Sequence, residues 1–129
     1  MLEIKRPKIV PKVWGYEEHI VNSSLYCQKK LTLLPNGMSS SLHYHKLKTE
    51  TFFILCGELQ VELYDSVDAA ANMDNAHRFT MQPDDVLTLE IGTPHRFWAI
   101  DKVSQFMESS TQDFPEDSIR LVLAGPRPS

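Results

Sequence analysis

Hydrophobic and polar positions alternate along most of the chain in short segments, with the period of two that is typical of half-buried strands. The segments with this pattern are YEEHIV, LYCQKKLTLL, SSSLHYH, TFFILCGELQVELY, HRFTMQ, VLTLEI, HRFWAI, VSQFMESS and SIRLVLA. Almost no stretch sustains the 3.6-residue period of an amphipathic helix. The pattern predicts an all-β protein of eight or nine strands, closed as a sandwich or barrel.

Turn signals separate the predicted strands. They are Pro35-Asn36-Gly37, Gly57, Pro83-Asp84-Asp85 and Gly92-Thr93-Pro94. Residues 66–76, SVDAAANMDNA, break the alternation, and we expect a surface loop there with one helical turn.

The length of the chain fits one domain. At 129 residues and 14.8 kDa, residues 1–129 are expected to form a single core. We place that core at about 12–123, with an N-terminal arm at 1–11 and a frayed C-terminal tail at 124–129.

Composition excludes several classes of protein. The chain is 42% hydrophobic and 23% charged, which fits a globular domain, and its net charge of −4 gives no attraction for phosphate backbones. No segment approaches the ~20 apolar residues that cross a bilayer. We therefore expect a cytoplasmic protein without nucleic-acid or membrane partners. Cys27 and Cys56 lie in strand-like runs and are expected to be buried free thiols.

The stretch SLHYHKLKTETFFILCGEL, residues 41–59, carries the clearest chemical signal. Side chains two apart on a strand share a face, so His43 and His45 should converge. A short reversal then returns Glu50 beside them. Two imidazoles and a carboxylate are a ligand set for a transition metal.

The glycines around this stretch have a familiar spacing. The positions are Gly37, His43, His45, Glu50 and Gly57, followed by Gly92 and His95. This pattern resembles the two motifs of the cupin superfamily. The resemblance implies a double-stranded β-helix, or jelly-roll barrel, in which His95 completes a metal site with His43, His45 and Glu50.

The resemblance further implies one divalent metal ion, which could be Mn, Zn, Fe, Ni or Co. An octahedral ion on four protein ligands keeps two open positions, and the alternative is a degenerate site that binds nothing. The chain departs from the second motif in two places. Asp84 replaces a glycine, which requires a left-handed Asp, and Glu90 replaces a proline.

The flanking segments narrow the resemblance. WGYE at 14–17, Tyr26 with Lys29, GTPHRF, and ESSTQDFPEDSIRL are similar to small cupins related to type II mannose-6-phosphate isomerases and cupin-type D-lyxose isomerases. This implies a sugar or sugar-phosphate ligand and aldose–ketose isomerisation through an enediol. An iron-dependent dioxygenase and a non-catalytic sugar-binding module are the alternatives.

The isomerase interpretation assigns roles to further residues. The base is expected to be Glu108, ahead of Glu90 and Glu58, while Lys29 would stabilise an enediolate or bind phosphate. Arg120 is expected to bind substrate, with a structural salt bridge as the alternative.

The remaining side chains near the motifs are sorted by strand parity. Phe52 and Phe97 should line the cavity, whereas parity argues against Arg96 as a cavity residue and leaves a structural salt bridge as the alternative to binding phosphate. Lys30 points away from the face of Lys29, so one of that pair must be solvated. Outward Phe53, Leu55 and Trp98 form an apolar set, from which we expect a homodimer.

Overall fold

The computed structural model describes residues 2–129, which form thirteen strands, one short α-helix and one 3₁₀ turn. The first seven strands are β1 (Lys8–Lys12), β2 (Gly15–Asn22), β3 (Cys27–Leu33), β4 (Met38–Ser39), β5 (Leu42–Tyr44), β6 (Glu50–Cys56) and β7 (Leu59–Leu63). After the helix α1 (Val67–Ala71) come β8 (His77–Met81), β9 (Val86–Leu89), β10 (His95–Ala99), β11 (Ser104–Ser110), the 3₁₀ turn Pro115–Asp117, β12 (Ile119–Val122) and β13 (Gly125–Pro126).

Eleven of the thirteen strands form two antiparallel sheets that face each other, and β4 and β13 form a separate two-stranded sheet. One sheet has six strands in the order β1-β2-β3-β11-β6-β9, and the other has five in the order β12-β5-β10-β7-β8. Several neighbouring strands, such as β3 and β11 or β5 and β10, are distant in sequence, as expected for a doubled sheet closed into a barrel. The jelly-roll prediction is confirmed.

Aromatic side chains from both sheets meet in the core. Phe52 and Phe106 project from the six-stranded sheet and Phe97 from the five-stranded sheet, and the Phe97 and Phe106 ring centroids are 5.2 Å apart. Trp14 packs on Phe97 at 5.8 Å between centroids. This apolar layer packs beneath the polar end of the barrel, where Phe52 contacts the ring of His95.

Two turns explain residues that the motifs require. Gly57 has φ +80°, and a Cβ there would lie 2.3 Å from Ser104 Oγ, so no other residue fits. Asp84 has φ +74°, the left-handed conformation expected where the chain departs from the motif. The segment 66–76 forms its one helical turn, capped by Ser66, whose Oγ accepts from the Ala69 amide.

The C-terminal tail is ordered, contrary to the expectation of fraying. Strand β13 pairs with β4, and the Arg127 amide donates to the Gly37 carbonyl at 2.8 Å. Trp98 is only 5% exposed: the Arg78 guanidinium lies 5.7 Å from its ring centroid, and the tail residues 127–129 line the same cleft as Trp98. Trp98 therefore does not belong to an exposed apolar set.

The outward apolar set is smaller than the sequence suggested. Phe53 and Leu55 remain 39% exposed on the six-stranded sheet, whereas Trp98 lies on the other sheet. The homodimer stays a prediction that now depends on Phe53 and Leu55. Cys27 is a buried free thiol as expected, but Cys56 is exposed, because it lies at the end of β6 beyond the core.

Part of the N-terminal arm, predicted at 1–11, forms a strand. Strand β1 begins at Lys8 and pairs with β2 along its length. Within the described residues 2–129, no helix has the length and apolar character needed to span a membrane.

Candidate metal centre

Three imidazoles meet at one end of the barrel, between the two sheets. His43 lies on β5 and faces His95, the first residue of β10, in the strand register. His45 follows β5 by one residue, and Glu50 opens β6 in the opposite sheet. The strand parity of His43 and His45 and the reversal at 46–49 bring three of the predicted ligands together, and the pairing of β10 with β5 adds His95.

Each imidazole is oriented by a main-chain carbonyl. The Nδ1 atoms of His43, His45 and His95 lie 2.9, 3.1 and 2.9 Å from the carbonyl oxygens of Ser41, Asp117 and Thr93. A carbonyl only accepts, so each Nδ1 carries the proton and donates it. In the neutral rings the lone pair is then on Nε2, the arrangement usual for metal-bound histidine.

The free nitrogens face one another and the Glu50 carboxylate. The three imidazoles each offer a nitrogen, and these lie within 4.8 Å of one another. Glu50 Oε1 is 3.0 Å from His95 Nε2 and 3.3 Å from His45 Nε2.

Among residues 2–129, both oxygens of Glu50 and Nε2 of His95 are buried without a hydrogen-bond partner. Orphaned buried acceptors are rare, and a cation between them would satisfy all of them at once. The ligand set therefore fits a divalent metal ion, held by His43, His45, His95 and Glu50.

The protonation states suit metal binding. Burial and the adjacent His95 hold the pKa of His43 well below its usual range, so this ring is neutral. Burial alone would raise the pKa of Glu50, but His45, His95 and Lys48 outweigh it and lower that pKa well below its usual range. A neutral imidazole and an ionised carboxylate are the forms that bind metals.

A cavity of about 350 Å³ opens beside the imidazoles. It is lined by Lys12, Trp14, Glu17, His19, Lys29, Leu31, Ser40, Ser41, His43, His45, Lys48, Phe97, Glu108, Asp113, Pro115, Ser118, Arg120 and Ala124. Its wall is apolar at the core end and strongly charged beside the candidate metal ligands. Such a cavity is large enough for a small polar molecule.

A buried lysine lies at the centre of the charged wall. Lys48 is 4% exposed, and its Nζ is 2.8 Å from Asp113 Oδ1, 3.7 Å from Glu50 Oε2 and 3.8 Å from Glu108 Oε2. Burial alone would lower the pKa of Lys48, but the carboxylates of Glu108 and Glu50 and the bond to Asp113 raise it. Lys48 is a permanent cation among three carboxyl groups.

Glu108 and Lys29 lie on adjacent strands of the cavity wall, where they are directly paired between β11 and β3. Burial and the charge of Glu50 raise the pKa of Glu108 well above its usual range. Lys29 Nζ donates to Asp113 Oδ2 at 3.0 Å, so Asp113 bridges both cavity lysines. Hydrogen bonds with these lysines outweigh burial and lower the pKa of Asp113 to about 2.

The other predicted site residues divide into two groups. Phe97 and Arg120 line the cavity, and Arg120 is opposite His43 in the strand register. Phe52 lies deeper, fully buried in the core with its ring 6.0 Å from that of His95, so it supports the ligand rather than lining the cavity. Glu58 and Glu90 lie outside the cavity lining, in turns that follow β6 and β9.

Arg96 is a structural residue, as strand parity indicated. Its Nε donates to the fully buried Glu62, which also accepts from Arg78 Nε at 2.7 Å. The pair lies away from the cavity. On the outer face of β3, Lys30 Nζ is 3.9 Å from Glu18 Oε1, while Lys29 is the inward member of the pair.

Sequence reasoning missed three residues of the site: Lys48, Asp113 and Asp117. Lys48 lies in the reversal between β5 and β6, where strand parity does not apply, so no local signal in the sequence indicated that it is buried. Asp117 accepts from the amides of residues 46, 47 and 48, at 2.8, 3.1 and 3.1 Å. Asp113 is fixed by Asn22, which bonds both its amide and its carbonyl at 2.9 Å.

The cupin domain family matches residues 30–105, more than half of the chain, and this protein belongs to that family. The match contains His43, His45, Glu50 and His95. Together with the three-histidine cluster it supports a metal-binding cupin. No curated protein sequence was found to match the chain.

Solved structures share the fold. An oxalate decarboxylase from Lactobacillus farciminis, in a formate complex, is 21% identical with a TM-score of 0.73 over 89% of this chain. CapF from Staphylococcus aureus, described as a capsular polysaccharide assembling protein, is 16% identical with a TM-score of 0.77 over 93%. The chain spans 34% of the length of each of these proteins. At these identities the likeness shows the fold alone.

Proposed function

We propose that this cupin is a metal-dependent aldose–ketose isomerase, which acts on a sugar or sugar phosphate through an enediol. The observation that carries the proposal is a cavity of about 350 Å³ whose lining includes Glu108 and two of the three clustered imidazoles, those of His43 and His45. A base and a Lewis acid facing one small cavity are what proton transfer next to a carbonyl requires.

The chemistry divides between the ion and the chain. When bound, a divalent ion supplies charge stabilisation to adjacent carbonyl and hydroxyl oxygens of a sugar. In its ionised form Glu108 takes the proton from the hydroxyl-bearing carbon next to the carbonyl and returns it to the former carbonyl carbon, while the hydroxyl proton moves to the former carbonyl oxygen through the enediol. The carbonyl moves by one position, and the carboxyl group ends in its starting state. A positioned carboxylate contributes about 10²- to 10⁴-fold to such a step.

Two cations of the cavity bind the rest of the substrate. Lys29 faces the same space as Glu108 and stabilises negative oxygen on the enediol. Arg120 lies exposed at the cavity, where its guanidinium can bind hydroxyl or phosphate oxygens from solvent. The similarity of the flanking segments to sugar isomerases supports the same substrate class.

Solvent deuterium exchange tests this function. The metal that copurifies is identified, and the fully metallated protein is incubated in deuterated water with mannose 6-phosphate, fructose 6-phosphate, lyxose and xylulose. Isomerisation through an enediol puts deuterium on the carbon next to the carbonyl of at least one sugar. Glu108→Gln should lower that exchange at least about 100-fold, with metal content unchanged.

Other outcomes separate the alternatives. No exchange with any of the four sugars in fully metallated protein would overturn the isomerase. Oxygen consumption that requires Fe would favour a dioxygenase, and saturable sugar binding without turnover would favour a binding module. Oxalate is included as a further test compound, because oxalate decarboxylases are among the structural neighbours.

A further inference from the structure

We propose that Lys48 is a positioning residue that holds one oxygen of Glu50, so that Glu50 binds the metal through its other oxygen only and leaves two positions on the ion for substrate. The inference rests on the metal-binding part of the proposed function and is independent of which sugar reacts. It gives a specific task to a buried lysine that the isomerisation steps do not use.

The two oxygens of Glu50 face different partners. Oε1 lies 3.0 Å from His95 Nε2 and 3.3 Å from His45 Nε2, and so faces the point where the imidazole lone pairs converge. Oε2 lies 3.7 Å from the Lys48 ammonium. Carboxylates bind metals through one oxygen or two, and a cation beside Oε2 favours the first mode.

Lys48 cannot easily leave this position. Its ammonium donates to Asp113 Oδ1 at 2.8 Å. The turn that carries Lys48 is fixed by hydrogen bonds that its main-chain amides donate to the buried Asp117 carboxylate. An unpaired ammonium buried at this depth would be costly, so the lysine stays between its carboxylates. The constraint on Glu50 is therefore built into the fold.

The chain offers a matched control in Lys29. It lies in the same cavity and donates to the other oxygen of Asp113 at 3.0 Å. Its ammonium has Asp113, and no metal ligand, as its ion-pair partner within residues 2–129. Removing Lys29 alters the charge of the wall without releasing Glu50.

The experiment counts water molecules bound to the metal. The full chain and its variants are loaded with Mn²⁺ alone, and field-dependent water-proton relaxation gives the number of bound waters. Lys48→Met should carry one water fewer than the unaltered chain, because the freed Oε2 takes that position. It should also bind Mn²⁺ about tenfold more tightly, since a nearby cation is gone. Lys48→Arg and Lys29→Met should keep the original number.

An unchanged number of waters in Lys48→Met, with Mn²⁺ bound, would overturn the positioning role, as would weaker Mn²⁺ binding without a change in waters. If that variant does not fold, the double variant Lys48→Met/Asp113→Asn removes a cation and an anion together and must show the same loss of one water. Failure of the unaltered chain to bind Mn²⁺ would overturn the metal site itself. Absence of deuterium exchange would overturn only the isomerase.

Discussion

The three imidazoles of the candidate metal site are oriented through hydrogen bonds at their Nδ1 atoms. Three main-chain carbonyls, from Ser41, Thr93 and Asp117, hold the Nδ1–H groups and so direct the Nε2 lone pairs inwards. Main-chain acceptors cannot be lost by substitution of their side chains. The orientation of the ligands therefore depends on the backbone just before β5 and β10 and in the 3₁₀ turn Pro115–Asp117, while the Ser41 hydroxyl also lies 3.0 Å from His43 Nδ1.

Substitution of one ligand should separate metal binding from folding. His45→Ala removes one Nε2 lone pair, and Mn²⁺ affinity measured by calorimetry should fall by more than about 100-fold, because even indirect supports of metal ligands contribute 10- to 100-fold. The free energy of unfolding without metal should change by no more than about 2 kcal/mol, because the apolar core is untouched.

His19 provides the control for this substitution. It lines the same cavity but pairs with Glu17 at 2.8 Å, outside the cluster. His19→Ala should leave the Mn²⁺ affinity unchanged. Equal metal binding by His45→Ala and the unaltered chain would show that the ligands are misassigned.

The ligands were predictable because their positions follow from local rules. The spacing of His43, His45 and Glu50 needs only strand parity and one short turn. Lys48 was missed, although it stands between them, because a lysine in a short connection is usually solvated. Its burial depends on Asp113 and Glu108, more than fifty residues later, and no local rule supplies that contact.

At the scale of elements, the turn between β5 and β6 is stabilised by a side chain from a distant part of the chain. Its three amides, at residues 46–48, have no strand partner and donate instead to the Asp117 carboxylate in the 3₁₀ turn Pro115–Asp117. One buried side chain thus fixes the segment that joins the two-histidine strand to Glu50. The reversal predicted from sequence exists, but its support comes from a distant part of the chain.

Removal of this support should be costly. Asp117→Ala leaves three amides without their acceptor, and the free energy of unfolding in urea should fall by about 2 to 4 kcal/mol. Asp117→Asn keeps one oxygen acceptor and should lose less. The exposed neighbour substitution Glu116→Ala should have little effect, and an equal loss in Glu116→Ala and Asp117→Ala would contradict the role of the buried carboxylate.

The scale of the whole molecule decides which faces are exposed. Strand parity correctly predicted that Trp98 points away from the barrel interior, but it could not show that the C-terminal tail returns to lie along the same cleft as Trp98. The same return pairs β13 with β4, the strand just before Ser40 and Ser41. The tail is thus paired with the segment that leads into His43, whereas the sequence predicted a frayed end.

Deletion of residues 125–129 tests this role of the tail. Loss of the tail residues beside Trp98 should increase the solvent exposure of its ring, so the tryptophan emission of the folded protein should move to longer wavelength. The free energy of unfolding should fall by about 1 to 2 kcal/mol, because the β13–β4 pairing and the apolar cover are lost. Trp14 is 3% exposed in the core on the other side and should not contribute to the change.

The Trp98→Phe background isolates the signal. In that background the same deletion should leave the emission unchanged, because only Trp14 remains, while the loss of stability should persist. An identical shift with and without Trp98 would mean that the deletion loosens the core around Trp14 instead. No shift in either background would show that the tail does not cover Trp98 in solution, and β4 would then have to be held by the barrel alone.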